Sequence, residues 1–483
     1  MMMPGSGENC QKDRNIYNRK CGFQTAQEEI DARYKVAAET LKVYRRYLPG
    51  ILKDLSKIED LRDPQKVEHS LDVLMLYGIF LFVFQLSSRR EANREMTEIF
   101  MENMRQFFPE LDSLPHADTL ARVLEVIEVN DIEAAAFNLI NRLIRDKKFS
   151  NFMVGSRYVI AIDGTQKLIR DWEWSENCLQ KHIKGQPEEV KQYYASALEA
   201  SFVLPRGLTI PFMTEFLDRK EHPETGAEGA KLKQDCQLKA FYRLAERLKA
   251  CFPRLLITLT MDGLYANGPL MELCQKYGWD YMIVLKDGSL KTVWEDIEGL
   301  KREDRVDSLS VPLSNGIKQT FWWVNNIDYT YRGQGIKVNV VICEETTVKI
   351  ERETGREIQE TKKFAWLSMV RINECNVEKR CNPMGRPRWN IETQNLVEKH
   401  QGYAYEHNWS YDWNGMKGFH YLMHLGHILN ILTLYSSGLI GKVKERGVRG
   451  TIKLIWLIFK SEILDYERLN LDIQGKYQVR LVI

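Results

Sequence analysis

Three carboxylates in three separate settings are the residues of this chain best suited to chemistry. Asp163 ends the apolar run Tyr-Val-Ile-Ala-Ile-Asp-Gly-Thr, Asp262 ends Leu-Ile-Thr-Leu-Thr-Met-Asp-Gly, and Glu392 lies in the basic, aromatic stretch Arg-Pro-Arg-Trp-Asn-Ile-Glu. A carboxylate at the end of a buried strand faces the mouth of a sheet, where acids from distant positions can converge on hard divalent cations. Two such cations, about 3.5–4 Å apart, activate an attacking oxygen and stabilise a leaving one, which is what phosphodiester cleavage and transfer require. A plainer reading exists for each aspartate alone, since Asp accepts local backbone hydrogen bonds and Gly supplies positive φ, so Asp-Gly pairs often make turns. Two Asp-Gly strand ends together with a helical Arg-Trp-Asn-Ile-Glu favour the chemical reading.

For the acids to meet, adjacent strands must carry the aspartates and a helix must bring the glutamate to them. Short runs of β-branched and aromatic residues predict strands at Tyr158–Ile162, Ser196–Leu204, Thr209–Phe216, Leu255–Met261 and Tyr281–Leu285, with helices over Lys233–Cys251 and Pro269–Tyr277. This order suits an α/β mixed sheet flanked by helices. Between 306 and 369 the period turns to two, as in Gln-Thr-Phe-Trp-Trp-Val, which predicts an antiparallel β insertion before the third acid. Helix resumes over Trp389–Gln401 and Gly415–Tyr435, followed by a basic segment from Lys442 to Lys460. Ahead of the sheet, apolar residues recur at three- and four-residue intervals in Ala32–Leu48, Val67–Leu86, Arg94–Phe107 and His116–Ile144, predicting an all-α N-terminal domain. The expected division is a disordered tail over 1–24, a helical domain over 25–150 suited to binding DNA ends, a catalytic domain from 151–305 and 370–440, the insertion over 306–369 and a basic C-terminal segment over 441–483.

Bulk composition narrows the partners. With 68 basic and 66 acidic residues the chain is no polycation, so any affinity for nucleic acid must come from local patches. The nine cysteines have no paired C-x-x-C spacing and the first residues lack a basic-then-apolar leader, pointing to a reducing cytoplasm. The most apolar run, Leu71 to Leu86, contains Asp72 and Gln85 and falls short of the roughly 20 residues of a membrane span, so it reads as a buried helix.

At these residues the chain resembles the DDE transposases of bacterial insertion sequences, in the IS-four-like group, whose catalytic domain has the ribonuclease-H-like fold. That group's third-acid signature is Tyr-x2-Arg-x3-Glu-x6-Lys, and Arg388, Glu392 and Lys399 stand at its spacings, with Gly385 in place of the tyrosine. Pro-His-Ala-Asp-Thr-Leu resembles the segment before the family's first strand, Asp-Gly-Leu-Tyr-Ala-Asn-Gly-Pro its second-acid motif, and His-Gln-Gly-Tyr-Ala-Tyr-Glu-His-Asn-Trp-Ser the stretch after its glutamate helix. The resemblance implies that Asp163, Asp262 and Glu392 hold two Mg2+ ions, for which Mn2+ can substitute, while Arg388 and Lys399 grip transposon-end phosphates. It further implies cut-and-paste transposition: strand cleavage at terminal inverted repeats, transfer of the 3′-hydroxyl to target DNA, and a homodimer in the synaptic complex. Helical rotation independently places Arg388, Glu392 and Lys399 on one face, an arrangement also met in ordinary surface ion pairs.

Other residues offer further contacts. Arg371, Lys379, Arg380, Arg386 and Arg388 predict a positive strip along DNA beside the acids, with Trp389 next to it. Trp322 and Trp323 are adjacent in a strand, so one ring points in and one out; the outward one, Trp323, could stack on an unpaired base, while sheet packing is the plainer reading. His420, His424 and His427 share a helical face at a spacing compatible with zinc, and equally with a core seam of hydrogen-bonded imidazoles. Cys178 and His182 supply two ligands where a structural zinc needs four, and read as packing or loop residues. Two other functions fit less of the pattern: a metal-dependent phosphoesterase using Asp163 as nucleophile, which lacks a second aspartate because Thr165 stands there, and a transposon-derived DNA-binding protein whose catalysis has decayed, which Gly385 favours.

Overall fold

The computed structural model describes residues 22–482 apart from 110, 112, 184, 186, 188–189, 220–234, 314–316, 351–356 and 475–477. The tail expected over 1–24 lies outside them up to residue 21, and the predicted start of the Lys233–Cys251 helix does so at 233 and 234.

The fold is mixed α/β, built on one large mixed sheet. Its strands are β1 (Tyr158–Arg170), β2 (Leu179–His182), β3 (Lys191–Val203), β4 (Thr209–Leu217), β5 (Ile257–Met261), β6 (Asp280–Val284), β7 (Asp307–Pro312), β8 (Ile317–Tyr331), β9 (Gln334–Ile350) and β10 (Glu357–Ser368). They run in the order β2-β3-β1-β5-β6-β10-β9-β8-β7, with β4 also paired to β3. The pairs β1–β5 and β5–β6 are parallel; β1–β3 and β3–β4 are antiparallel. All five predicted strands of this core form, but β1 extends to Arg170, well past the predicted Ile162. The extension carries Thr165 and Lys167, polar residues that are nonetheless buried, so composition concealed it.

The insertion is antiparallel as expected, and it is sewn onto the core sheet: Trp366, Leu367 and Ser368 of β10 pair with Val284, Ile283 and Met282 of β6. Its β8–β9 hairpin closes between Tyr331 and Gln334 through Arg332 and Gly333, both at positive φ (47° and 83°), as a two-residue turn matched to strand twist requires.

The helices are α1 (Ala26–Leu55), α2 (Leu71–Val83), α3 (Arg89–Glu95), α4 (Glu98–Arg105), α5 (Ala117–Leu124), α6 (Asn130–Arg145), α7 (Gln237–Cys251), α8 (Gly268–Tyr277), α9 (Lys291–Arg302), α10 (Val377–Arg380), α11 (Trp389–His400), α12 (Trp413–Leu434), α13 (Ile440–Ser461) and α14 (Tyr466–Ile473). The predicted N-terminal helices are present, with His116–Ile144 divided into α5 and α6. As expected of the apolar run, every residue of α2 except Asp72 is buried. Helix α12 packs against it so closely that a Cβ at Gly78 would lie 2.7 Å from Leu422 Cδ1, and one at Gly426 would lie 2.8 Å from Phe82 Cβ. A helix from the second half of the chain therefore forms part of the N-terminal helical core. On the other side, Glu133 of α6 accepts from the Thr214 amide of β4 at 2.6 Å and pairs with Arg247 of α7, tying the helical region to the sheet. Among the described residues no helix is long and apolar enough to cross a membrane.

Candidate active site

The parallel register of β1 and β5 pairs Ile162 with Met261, so the next residues, Asp163 and Asp262, lie side by side; β5 ends there, whereas Asp163, expected at a strand end, sits inside β1, which continues to Arg170. Asp163 Oδ1 accepts from the Gly164 amide at 2.9 Å, and Asp262 begins the helical turn Gly263–Tyr265. Glu392 arrives from above, in the first turn of α11. The chain leading to it winds from α10 through a wide π-helical turn over Cys381–Gly385 and a tight 3-10 turn over Arg386–Arg388, and is pinned to β5 where Thr260 Oγ1 donates to the Gly385 carbonyl at 3.3 Å. A Cβ at Gly385 would lie 2.9 Å from Trp366 Nε1 and Cε2, so close packing against β10 leaves no room there for the tyrosine of the resembled signature.

One guanidinium joins the first and third acids. Arg388, only 2% exposed, donates to Glu392 Oε1 at 2.6 Å and lies 3.7 Å from Asp163 Oδ2. Asp262 has its own cation, Lys286, which follows β6 and donates to Asp262 Oδ2 at 2.7 Å. These partners divide the two aspartates electrostatically. Burial pushes the Asp163 carboxyl up to about 6, with Arg388 opposing the shift and the charges of Glu392 and Asp262 adding to it. Burial also raises Asp262, but the hydrogen bond and charge of Lys286 outweigh it and hold that carboxyl below its ordinary value. Lys286 has no counterpart in the sequence reading; its position just past a strand neighbouring the one that ends in Asp262 is the signal that could have found it. Asp163, Asp262 and Glu392 thus supply oxygen-only donors of the kind a hard divalent cation takes, but their oxygens do not all lie within 4.8 Å of one another, and Arg388 and Lys286 hold them in ion pairs.

The basic residues near the acids are mostly engaged inside the protein. Arg380, 4% exposed, makes a bidentate pair with Asp280 at 2.7 and 2.8 Å, Arg386 pairs with Glu345 and lies 4.4 Å over the Phe364 ring, and Lys399 pairs with Glu406 at 2.9 Å. The predicted strip is therefore largely internal, leaving Arg371 and Lys379 exposed. Trp389 is 52% exposed, with Arg388 4.0 Å from its ring centroid. Trp323 departs from expectation: Trp322 and Trp323 do point to opposite sides, but both sides are covered, leaving the rings 5% and 3% exposed. The outward ring packs with Phe321, Val341 and Trp366 because turns and helices preceding α11 lie over that face of the insertion.

Behind α11 the structure assembles a polar cluster that the sequence shows only in part. Glu199 on β3 is in register with both Asp163 and Thr214. It meets His420 and His424 of α12, with Glu199 Oε1 at 3.8 and 4.0 Å from their Nε2 atoms. Glu398 of α11 is 3.7 Å from His424 Nε2 and 2.7 Å from His427 Nδ1. Tyr405 Oη donates to Glu199 Oε1 at 2.8 Å, and Lys167 Nζ donates to the Tyr405 carbonyl at 2.9 Å. Burial lowers Lys167 to about 8; burial also raises Glu398, but the neighbouring imidazoles reverse that and hold it low. The histidine spacing was legible; Glu199 and Glu398 as its partners were not. Cys178 is buried and His182 exposed at the end of β2, as packing and surface residues.

Comparison with known families gives one match: residues 52–140, from the end of α1 into α6, match the family described as DDE_Tnp_1-associated, a domain found with DDE transposases. No curated protein matches the chain. That stretch of the helical region in front of the sheet is thus similar to a domain found with DDE transposases.

Proposed function

We propose that the protein is a DDE transposase of the IS-four-like kind, cleaving DNA at the inverted ends of its element and joining the freed ends to a target by a cut-and-paste route. The observation carrying this reading is that Asp163 and Asp262 follow paired residues of β1 and β5, with one guanidinium joining Asp163 to Glu392. Two further observations support it. The core order β4-β3-β1-β5-β6, with β3 antiparallel to β1, is compatible with the ribonuclease-H-like domain this reading calls for, and the transposase-associated match covers adjoining helices.

In this reading Asp163, Asp262 and Glu392 would hold two Mg2+ ions, which lower the cost of forming an attacking oxygen and of releasing the departing one. The chain's own groups set the geometry. The paired strands fix the two aspartates, while Arg388 holds Glu392 toward Asp163. Lys286 keeps Asp262 ionised. Trp389, Arg371 and Lys379 offer exposed contacts to DNA near the site, and Lys399 becomes available if it leaves Glu406. Double-stranded DNA is the partner, a homodimer pairs the two ends, and the cytoplasm is the place of action.

The test is nicking of DNA carrying the element's ends in Mg2+ or Mn2+. Asp163→Ala, Asp262→Ala and Glu392→Ala should each abolish cleavage while preserving end binding in a mobility-shift assay. Cleavage surviving any one substitution would remove that residue from the site. Hydrolysis of small phosphomonoesters would favour a phosphoesterase, and binding without cleavage by the unaltered chain a decayed transposase.

A further inference from the structure

The buried cluster behind α11 has more ligating atoms than partners. Glu199, Glu398, His420 and His424 are between 0% and 3% exposed. Within it Glu199 Oε2, Glu398 Oε2 and His424 Nε2 have no hydrogen-bond partner. Leaving such an atom unsatisfied away from water costs on the order of 1–3 kcal/mol, more when it is charged. Three in one place, from three different elements, are a shared vacancy in bonding.

We propose that Glu199, His420 and His424, with Glu398 at the fourth corner, bind one zinc-type divalent ion that clamps α11 to β3 and α12. Ligating atoms of the first three lie within 4.8 Å of one another. Around a tetrahedral zinc with bonds of about 2.0–2.1 Å, ligand atoms stand about 3.3–3.5 Å apart. The distances of 3.8 and 4.0 Å from Glu199 to the two imidazoles and of 3.7 Å from His424 to Glu398 are a few tenths of an ångström from that spacing, and Glu398, outside the group of three, must move in further to complete the site. These contacts are too long for hydrogen bonds, so His424 Nε2 and Glu398 Oε2 are left unpaired, while Glu199 Oε1 and His420 Nε2 bond to Tyr405 and Thr214 instead.

The donor chemistry selects the metal. Two imidazoles with two carboxylates suit zinc and its first-row neighbours, whereas magnesium prefers oxygen alone. The outer partners are those such a site uses to orient its ligands. Tyr405 Oη holds Glu199 at 2.8 Å, and His427 Nδ1 holds Glu398 at 2.7 Å. His420 must exchange its 2.9 Å contact with Thr214 Oγ1 for the ion, and its Nδ1 then faces Lys167 Nζ at 3.5 Å. This site adjoins the proposed Mg2+ pocket but shares no ligand with it: Glu199 is the cross-strand partner of Asp163 on the same face of the sheet, while Glu398 is on the buried part of α11.

The experiment measures metal in the full-length chain, purified without a polyhistidine tag and dialysed against metal-free buffer. About one zinc per chain should remain, and cobalt exchanged into the protein should give the intense visible absorption of a tetrahedral site. The Asp163→Asn/Glu392→Gln double variant should keep this ion, which separates the proposal from the catalytic reading. Glu199→Gln and His424→Gln should each lower retention at least tenfold. A folded unaltered chain that holds no zinc and gives no cobalt band, its cluster filled by water and shared protons, would overturn the proposal, as would a folded His424→Gln protein that keeps its full complement.

Discussion

Glu392 and Glu398 stand on the same helix, yet the first is 42% exposed beside one guanidinium and the second is sealed among imidazoles in the interior. The exposed carboxylate is open to exchange, because a cation from solution can reach it and compete with its guanidinium partner. The sealed one is arranged for permanence, because separating it from its partners would leave a charge stranded in the interior. Helix α11 thus carries a replaceable acid at its first turn and an anchoring acid near its end. The same division separates the neighbours Asp163 and Glu199, which face each other across β1 and β3.

The largest effect that sharpens this contrast is on cleavage. Glu392→Gln should lower the nicking rate by on the order of 10³-fold or more in single-turnover assays while leaving the unfolding midpoint nearly unchanged. Glu398→Ala should do the reverse to stability, lowering it by about 3–5 kcal/mol in denaturant unfolding, since His427 and His424 lose a buried partner. Equal stability losses in the two variants would break the comparison.

A smaller effect concerns Asp163, whose folded carboxyl titrates near 6 against an ordinary 3.8. For an acid raised in this way the native state binds the proton more tightly, so its contribution to stability falls as pH rises from about 4 to 6 and the penalty is complete above that. Asp163→Asn should therefore raise the stability of the metal-free protein at pH 8 by about 1–2 kcal/mol and leave it unaltered at pH 4, read by thermal unfolding at both values. Weakest of all is Lys286→Ala. Its ammonium is 58% exposed, so stability should change by less than about 1 kcal/mol, while half-maximal cleavage should need less Mg2+ because no lysine competes for Asp262.

Much of this site was legible because it depends on local patterns: apolar runs ending in aspartate mark β1 and β5, and the Arg388, Glu392 and Lys399 spacing marks α11. What escaped depends on tertiary burial. Lys167 and Thr165 hid the second half of β1, since a polar residue gives no sign in sequence that its neighbours will cover it. Arg380 reads as a surface cation until Asp280 appears beneath it, and Trp323 reads as half-exposed until the stretch before α11 is laid over the insertion. Gly385 reads as a lost tyrosine and proves to be a point of contact with Trp366.

The hairpin turn at Arg332 and Gly333 reaches back toward the loop that follows Asp262, where a Cβ on Gly268 would lie 2.9 Å from Tyr331 Cβ. Because β10 is also hydrogen-bonded to β6, the inserted arm is braced at its root and at its tip. A load applied along the arm would be passed to the start of α8, just beyond the turn that follows Asp262, instead of being lost in a loose hinge.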